Sequence, residues 1–408
     1  MIIDTIFLFL WAALPIVWHY LLKAAGLSIL RLTIPSFVLL ALYLYQYVGL
    51  PALYFHLDEH RAGAVTDQWI VFRVFLYTAI TMTLMIAGYI AGRRVFGQLD
   101  WVRKNNISYS NTMQQIGLLG LFSICLIVLF MYLSKIGFEQ IAIVNVLGLG
   151  ADTDPSFARS IMTNDFEGKY HWYSLFMQSL LTFCAYGFFA QYLLKRNFKN
   201  RLLLGIIFFT TAFSLIAAIE KGPLTNFLIT LFLVYVLLKK DGRIPIKQGL
   251  FFATFLLIVA LIMVANFMGI EDSMIALSSM VSRVFTGQIQ PAYHYLEFFP
   301  HQIDFLYGRS FPNPGGLLPF EPYRLTVEVM YMYKPALLKM GVVGSMPTIY
   351  WGEMYANFGF IGVLLPPFFV GFVLYWINSL IFRLRPDPLS IALFVFCVMH
   401  FMALYGSS

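Results

Sequence analysis

Long apolar runs recur along the whole chain and are separated by short polar connections. A helix needs about 20 mostly apolar residues to cross a bilayer. Ten runs approach or exceed this length, near residues 2–22, 29–48, 69–91, 113–134, 172–194, 202–219, 223–238, 248–268, 351–381 and 388–405. The pattern predicts an all-α polytopic membrane protein of about ten transmembrane helices. We expect eight of them in 1–268, a long loop in 269–350, and the last helices in 351–408.

Composition supports the same class of protein. Of 408 residues, 60% are hydrophobic and 12% are charged, and the mean hydropathy is +0.76. A soluble domain carries about 25% charged residues, so this chain lacks the polar surface of a water-soluble globule. Cys125, Cys184 and Cys397 fall inside apolar runs without metal-ligand spacing. We therefore expect buried apolar cysteines, with no metal and no cofactor.

Basic residues are concentrated in alternate connections, which predicts the orientation of the chain. Three acids accompany them there: Asp100, Asp241 and Asp387. The basic residues are Lys23, Arg31, Arg93, Arg94, Arg103, Lys104, Lys195, Arg196, Lys199, Arg201, Lys239, Lys240, Arg243, Lys247, Arg383 and Arg385. Short connections rich in Lys and Arg stay in the cytoplasm. The termini and the 269–350 loop are then extracytoplasmic, and the net charge of +7 indicates membrane flanks, not nucleic acid.

Three predicted extracytoplasmic segments are longer than a tight turn, namely 49–68, 135–171 and 269–350. A loop longer than about 12–15 residues is usually functional or disordered. The longest segment is rich in aromatic residues, which disfavours disorder. It is expected to fold with short helices at the membrane interface.

Five basic residues lie on the extracytoplasmic side, against the usual charge bias. They are Arg159, Lys221, Arg283, Arg309 and Arg324. Arginine pairs with phosphate oxygens through two parallel hydrogen bonds, so a convergent set would hold a pyrophosphate leaving group. The alternative is ion pairing with nearby acids, or extension to lipid headgroups. Lys221 follows Glu220 in a tight turn, where the two could instead pair with each other.

Glu353 and His294 are the candidate catalytic bases. Glu353 stands between aromatic residues at the entry of an apolar run, where a partly desolvated carboxylate could take a proton from a sugar hydroxyl. It could instead serve as an acid at a helix N-terminus. His294, like His301, lies in the long loop and could be a base or a hydrogen-bonded structural residue. His19 and Arg73 lie within predicted spans and are functional candidates.

Nucleotide-binding and zinc-protease motifs are missing, and no cytoplasmic loop is long enough to house a nucleotide-sugar domain. A sugar donor would therefore be lipid-linked and met outside the cytoplasm.

Several motifs in 200–380 resemble those of the Wzy-type oligosaccharide repeat-unit polymerases, which build O-antigen and capsule. They are Arg283, Gly308-Arg309-Ser310-Phe311, Gly344-Ser345-Met346-Pro347 and the stretch from Gly352-Glu353-Met354 to Gly362. The Glu220-Lys221-Gly222-Pro223 turn is similar to a basic-Gly turn that these enzymes share with O-antigen ligases. Lys221 departs from the usual arginine, which removes the bidentate fork.

The resemblance implies a bacterial inner-membrane enzyme with a GT-C-like helical fold and a periplasmic active site. It would transfer a growing glycan from undecaprenyl pyrophosphate to the next lipid-linked repeat unit without nucleotide sugar or metal. Arg283 and Arg309 would hold the pyrophosphate with Lys221 and Arg159, and Glu353 would orient or deprotonate the acceptor. Partners would be lipid-linked oligosaccharides, membrane lipids, a chain-length regulator and a flippase.

Two other functions remain open at this point. One is an O-antigen ligase-like glycosyltransferase, disfavoured because no histidine has a recognisable ligase setting. The other is a transporter or flippase for lipid-linked oligosaccharide, which predicts internal repeats and charges along several spans. The sequence shows neither of these features.

Overall fold

The computed structural model describes residues 2–97, 108, 112–146, 148–150, 155–163, 166, 168–268, 273–336 and 344–406. Within the described helices, the structure describes the backbone but not the side chains of residues 155–156, 221, 260–268, 273, 276 and 405. The side chain of Lys221 and the loop residues Arg103 and Lys104 therefore lie outside the described residues.

Helices dominate the fold, and no extended β-strand occurs among the described residues. In chain order the α-helices are α1 (Ile2–Ala24), α2 (Ile34–Leu42), α3 (Leu50–Tyr54), α4 (Glu59–Ala62), α5 (Gln68–Phe96), α6 (Thr112–Ile136), α7 (Ala142–Val146), α8 (Pro155–Met162), α9 (Tyr170–Ser174), α10 (Leu181–Leu194), α11 (Phe198–Ile216), α12 (Lys221–Lys239), α13 (Ile246–Met268), α14 (Ser273–Val281), α15 (Gln290–Phe298), α16 (Leu325–Tyr333), α17 (Tyr350–Phe358), α18 (Phe360–Phe382) and α19 (Pro388–Met402). Wider π-helical turns occupy Tyr43–Tyr47, Leu175–Leu180 and Ser282–Thr286.

Two compact units make up the chain. Unit 1 comprises Met1–Gln98, Leu277–Ser379 and His400–Ser408. Unit 2 comprises Leu99–Ala276 and Leu380–Met399. Most of the predicted 269–350 loop thus packs in one unit with the N-terminal helices.

Eight helical segments in the described part of the chain are long and apolar enough to cross a membrane. They are Ile2–Ala24, Ile34–Tyr54, Gln68–Phe96, Thr112–Ile136, Tyr170–Leu194, Phe198–Ile216, Gly222–Lys239 and Phe360–Phe382. Their number and apolar character support the predicted all-α, multi-pass membrane protein. The other two predicted spans coincide with α13 and α19, where the searched apolar stretches, Ile246–Val259 and Pro388–Met402, are shorter.

Asp67 and Gly97 define the two ends of α5. The Asp67 carboxylate accepts a hydrogen bond from the Trp69 backbone N–H at 2.7 Å, which satisfies a free donor of the first turn. Gly97 ends the helix with φ 76°, a left-handed conformation that glycine adopts without steric cost. The 29 residues between span about 44 Å, more than the roughly 30 Å hydrocarbon thickness.

Glycines bring α5 and α18 into close contact within unit 1. A Cβ added to Gly88 would lie 2.2 Å from the Phe368 carbonyl oxygen, and one added to Gly371 would lie 2.3 Å from the Met85 carbonyl oxygen. Small residues that let backbones approach are typical of membrane helix interfaces. The α5–α18 contact therefore depends on the absence of side chains at these two positions.

The long segment predicted as a loop is folded and partly buried. It forms α14, a π-helical turn, α15 and α16. Eight of the nine residues of α15 are buried, so this helix belongs to the core of unit 1. The segment contains short helices, and α15 is buried on nearly all sides instead of presenting the exposed polar face of an interfacial helix.

Unit 2 has its own aromatic core near the predicted Lys221 turn. Tyr132 at the end of α6 is 1% exposed, and its hydroxyl donates to the Met162 carbonyl oxygen. Ala217, Ala218 and Ile219 pack into the same core. These contacts hold the turn before α12 and position Glu220.

Candidate functional site

A cavity of about 230 Å³ in unit 1 contains two of the sequence-predicted site residues. Its walls come from α15, from the loop that holds Ser310, from the first turn of α16 with the two residues before it, and from Thr348 with the start of α17. The lining residues are Tyr295, Ser310, Tyr323, Arg324, Leu325, Thr326, Val327, Thr348 and Glu353. We refer to it as the Glu353 cavity.

Backbone pairing attaches the 306–310 segment to α17. The N–H groups of Leu306 and Tyr307 donate to the carbonyl oxygens of Ala356 and Asn357, each at 3.0 Å. The Gly308 N–H donates to Asn357 Oδ1 at 2.8 Å. Ala356 and Asn357 lie in the last turn of α17. The chain that pairs with them then runs back along the helix, and it brings Ser310 toward Glu353 near the start of α17.

A hydrogen-bond chain holds the Glu353 carboxylate. Asn357 Nδ2 donates to Ser310 Oγ at 2.7 Å, and the Ser310 hydroxyl donates to Glu353 Oε1 at 2.9 Å. Asn357 is fully buried and also donates to the Glu353 carbonyl oxygen at 2.9 Å. Glu353 is half-buried, so its other oxygen can meet a ligand while Ser310 fixes the orientation of the carboxylate.

Gly352 in α17 allows the segment that carries Thr348 to pack closely against this helix. A Cβ on Gly352 would lie 2.7 Å from Thr348 Cγ2, closer than real Cβ contacts. The 344–349 segment therefore packs directly on the first turn of α17. This packing places Thr348 beside Glu353 in the cavity wall.

Tyr295 supplies a neutral hydroxyl beside the carboxylate. Its ring is fully buried, and its hydroxyl donates to the Met346 carbonyl oxygen at 3.2 Å. Burial, together with the negative charge of Glu353 and the nearby Tyr323, raises the pKa of Tyr295. The phenol therefore stays protonated at neutral pH.

Two arginines provide the positive charge near the cavity. Arg324 is exposed and lines the wall just before α16. The Arg309 guanidinium lies 6.0 Å from the ring centroid of Tyr323, and the Arg309 carbonyl oxygen accepts from the Tyr323 N–H at 2.7 Å. No ion pair of either arginine is found among the described residues. The Glu353 cavity thus brings together Glu353, Arg324 and, through Tyr323, Arg309.

Arg283 and His294 do not line the Glu353 cavity. Arg283 lies in the π-helical turn before α15, and it is exposed beside Arg61. His294 is 3% exposed, and its Nε2 lies 3.3 Å from Gln290 Nε2. Burial, and secondarily Lys334, lowers the pKa of His294 to about 4. The imidazole is therefore neutral at pH 7.

Two of the predicted basic residues, Arg159 and Lys221, belong to unit 2. Arg159 Nη2 lies 3.9 Å from Glu220 Oε1, and Gln178 Nε2 donates to Glu220 Oε2 at 3.0 Å. The ion pairing considered for the extracytoplasmic arginines thus occurs at Arg159. Glu220 directly precedes α12, but the side chain of Lys221 is outside the described residues.

The sequence did not single out the side chains of Ser310 and Asn357. Ser310 and Asn357 lie inside the motifs that carry the family resemblance, and that position was the available signal. The position of Tyr295 in the cavity wall depends on the packing of α15 against distant segments, which the local sequence does not show.

Within the described ranges, no group of three His, Cys, Asp or Glu side chains could hold a metal ion. Comparison of the chain with protein-family models, curated proteins and solved structures finds no match. The Glu353 cavity itself offers an oriented carboxylate, a neutral phenol and guanidinium groups. That set can accept a proton from a hydroxyl group and stabilise a phosphate anion.

Proposed function

We propose that this chain is a membrane glycosyltransferase that polymerises undecaprenyl-pyrophosphate-linked repeat units into O-antigen or capsular polysaccharide. The reaction would occur at the periplasmic face of the bacterial inner membrane. The proposal is supported by the family resemblance and by the eight apolar helices. The single observation that carries it furthest is the Glu353–Ser310 pair in a cavity that also contains Arg324.

Glu353 fits the role of the group that activates the acceptor. Ser310 occupies one carboxylate oxygen, which leaves the other to accept the proton of an acceptor hydroxyl. In the proposed step that hydroxyl oxygen bonds to the anomeric carbon of the donor glycan. The bond between that carbon and the phosphate oxygen breaks, its electron pair leaves with undecaprenyl pyrophosphate, and the proton passes to Glu353.

The arginines fit the leaving group. Negative charge grows on the bridging phosphate oxygen as the glycosidic bond breaks, and oriented cations lower that barrier. Arg324 lines the cavity, and Arg309 lies over Tyr323 at its edge. A guanidinium remains charged in a partly dry site and presents a planar fork to phosphate.

Cavity size indicates how much of the substrate enters. Sites for drug-sized ligands have volumes of about 300–1,000 Å³, whereas the Glu353 cavity measures about 230 Å³. It is suited to one sugar ring or one phosphate group. The remaining glycan and the polyprenyl chain would lie outside it, along protein surface and lipid.

Reconstitution in lipid vesicles tests the proposal. The wild-type protein, supplied with purified undecaprenyl-pyrophosphate-linked repeat units, is expected to produce a ladder of longer glycans. Glu353→Gln should reduce ladder formation by about 100-fold or more, the usual contribution of a general base. Glu321→Gln is the matched control, because Glu321 is exposed in the same segment and does not line the cavity.

Each other outcome identifies a different function. Translocation of the lipid-linked unit without a ladder would show a transporter or flippase and refute the polymerase. Transfer to a lipopolysaccharide core acceptor without chain extension would show a ligase-like enzyme. A full ladder from Glu353→Gln would remove Glu353 from the proposed chemistry.

A further inference from the structure

One face of α11 in unit 2 carries a shallow groove that the proposed chemistry does not use. Its volume is about 530 Å³, within the range of about 300–1,000 Å³ that is usual for sites of drug-sized ligands. The lining residues recur every three or four positions, as a single helix face requires. They run from Phe198 to Thr210 and include Arg201, Gly205 and Phe209. We refer to it as the α11 groove.

The α11 groove faces outward from the described part of unit 2. The buried residues of α11 lie on the opposite side of the helix, where α10 and α12 pack. Along the groove, Phe198 is 79% exposed and Phe209 is 75% exposed. Because α11 is long and apolar enough to cross a membrane, these side chains meet either lipid or another membrane helix.

Gly205 forms a notch in the middle of the groove. A Cβ added there would have no neighbouring heavy atom within 4 Å, so no helix contact in the described structure requires glycine at this position. Leu202 and Ile206 beside it are exposed as well. Glycine destabilises a helix relative to alanine, and the space that it leaves here is open to a ligand.

Charge is concentrated at one end of the groove. The stretch from Leu202 to Phe209 is wholly apolar, and no acidic residue occurs between Lys195 and Glu220. No ion pair of Arg201 is found among the described residues. The groove therefore suits an anion that carries a long apolar chain. Four exposed basic residues mark its start: Lys195, Arg196, Lys199 and Arg201.

The length of the groove agrees with one leaflet of a bilayer. Phe198 and Thr210 lie about 18 Å apart along the helix axis, at roughly 1.5 Å per residue. Half of the hydrocarbon core is about 15 Å thick. With the basic end at the depth of the lipid headgroups, the apolar end reaches the middle of the membrane.

We propose that the α11 groove binds an anionic glycerophospholipid. Its phosphate would lie between Lys199 and Arg201, which leave the helix on different sides because they are two positions apart. One acyl chain would follow the apolar face across the Gly205 notch. The charge bias is expected to place this end of α11 in the cytoplasmic leaflet, whose surface potential is negative because of anionic lipids.

A second copy of the chain fits the groove less well. Copies inserted with the same orientation would place Arg201 against Arg201 in a symmetric contact, and like charges repel each other. Membrane helices that pair through glycine usually have a second small residue four positions away. Gly205 has Arg201 and Phe209 at those positions, so the charge and the shape both favour a lipid.

Photo-crosslinking of the full-length protein in phosphatidylcholine nanodiscs tests the proposal. The probe is phosphatidylglycerol with a photoreactive group in its acyl chain, and labelled peptides are identified by mass spectrometry. Peptides from 202–210 are expected to be labelled, and unlabelled phosphatidylglycerol, but not added phosphatidylcholine, should compete. Arg201→Gln should weaken the apparent affinity about fivefold, the usual contribution of one basic residue near an anionic surface. Arg243→Gln is the matched control, because Arg243 is exposed but does not line the groove.

The notch is tested separately with Gly205→Leu, whose side chain would occupy the space of the acyl chain. Labelling of 202–210 should fall about fivefold or more. Gly120→Leu is the matched control, because Gly120 in α6 also has open surroundings. Leucine favours a helix over glycine, so both variants should be at least as stable as wild type in thermal unfolding without added lipid. This comparison distinguishes lost binding from lost structure.

Three outcomes would overturn the proposal. Equal competition by phosphatidylcholine and phosphatidylglycerol would show unselective boundary lipid. Wild-type labelling in both Arg201→Gln and Gly205→Leu would place the lipid elsewhere. A wild-type dimer that becomes a monomer in Gly205→Leu, measured by light scattering, would assign the groove to a second copy. None of these outcomes depends on a glycan ladder, so the lipid site and the proposed function can fail separately.

Discussion

His294 illustrates how a buried side chain can be fixed by its neighbours. Gln290 donates from its amide nitrogen to His294 Nε2, because its amide oxygen is engaged by Arg61. The ring proton is therefore on Nδ1, which lies 3.6 Å from Glu297 Oε2. The Tyr333 ring is 4.0 Å from the imidazole centroid. His294 thus orients Gln290, and through it Arg61.

The protein is expected to lose stability at low pH because of His294. The pKa of His294 is lowered by burial from 6.5 to about 4. As pH falls from about 6.5 toward 4, the unfolded chain binds a proton that the folded protein excludes, so the free energy of unfolding decreases. The full change is roughly 3 kcal/mol. Denaturant unfolding in detergent between pH 4 and 8 measures it.

The readout is the slope of stability against pH, not stability at one pH. His294→Gln should remove most of the slope between pH 6.5 and 4, whatever its effect at pH 7. His301→Gln is the matched control, because His301 is exposed in the same segment. Identical slopes in wild type and His294→Gln would contradict the assignment.

At the scale of elements, glycines decide which helices can touch. The α5–α18 contact requires Gly88 and Gly371, because backbone atoms occupy the space where a Cβ would stand. The same chain has helical glycines with open surroundings, such as Gly120 in α6. Comparing Gly88 with Gly120 therefore separates the effect of close helix packing from the intrinsic free-energy cost of glycine in a helix.

Gly88→Ala is expected to destabilise unit 1, because its Cβ would lie 2.2 Å from the Phe368 carbonyl oxygen. Overpacking of this kind typically costs about 1–3 kcal/mol. Gly120→Ala should be neutral or stabilising by up to about 1 kcal/mol, since alanine favours the helix. Thermal unfolding followed by size-exclusion chromatography compares the two. A Gly88→Ala protein as stable as wild type would show that the helices separate without cost.

At the scale of the whole molecule, the distribution of charge predicts which loops face the cytoplasm. Basic residues gather in the connections near Lys199 and Arg243, so these are expected inside the cell. The 269–350 segment, which carries most of the proposed chemistry, is then expected outside. Lipid-linked donors would reach it on that side.

Cysteine labelling tests this orientation. In a background without the three native cysteines, Leu317→Cys and Lys199→Cys each introduce one thiol. Leu317 is 83% exposed, and Lys199 is exposed at the start of α11. A membrane-impermeant maleimide should label Leu317→Cys in intact spheroplasts and Lys199→Cys only after permeabilisation. The reverse pattern would invert the topology and place the Glu353 cavity in the cytoplasm.

The sequence by itself determined the class of protein and selected one carboxylate that lines the Glu353 cavity. Apolar run length is a local property, and it predicts membrane-crossing helices without knowledge of the fold. Eight of the predicted spans are long, apolar helices within the described residues. Glu353 was selected from local context as well, and its side chain does line a cavity.

Only the tertiary structure decided which charged side chains meet. Arg309 and Arg324 lie near Glu353, whereas Arg283 lies by Arg61, and neither grouping can be derived from spacing along the chain. Ser310 reaches Glu353 across 43 residues of sequence because backbone hydrogen bonds attach the 306–308 segment to α17. The burial of α15 was equally unpredictable, since it results from long-range packing in unit 1.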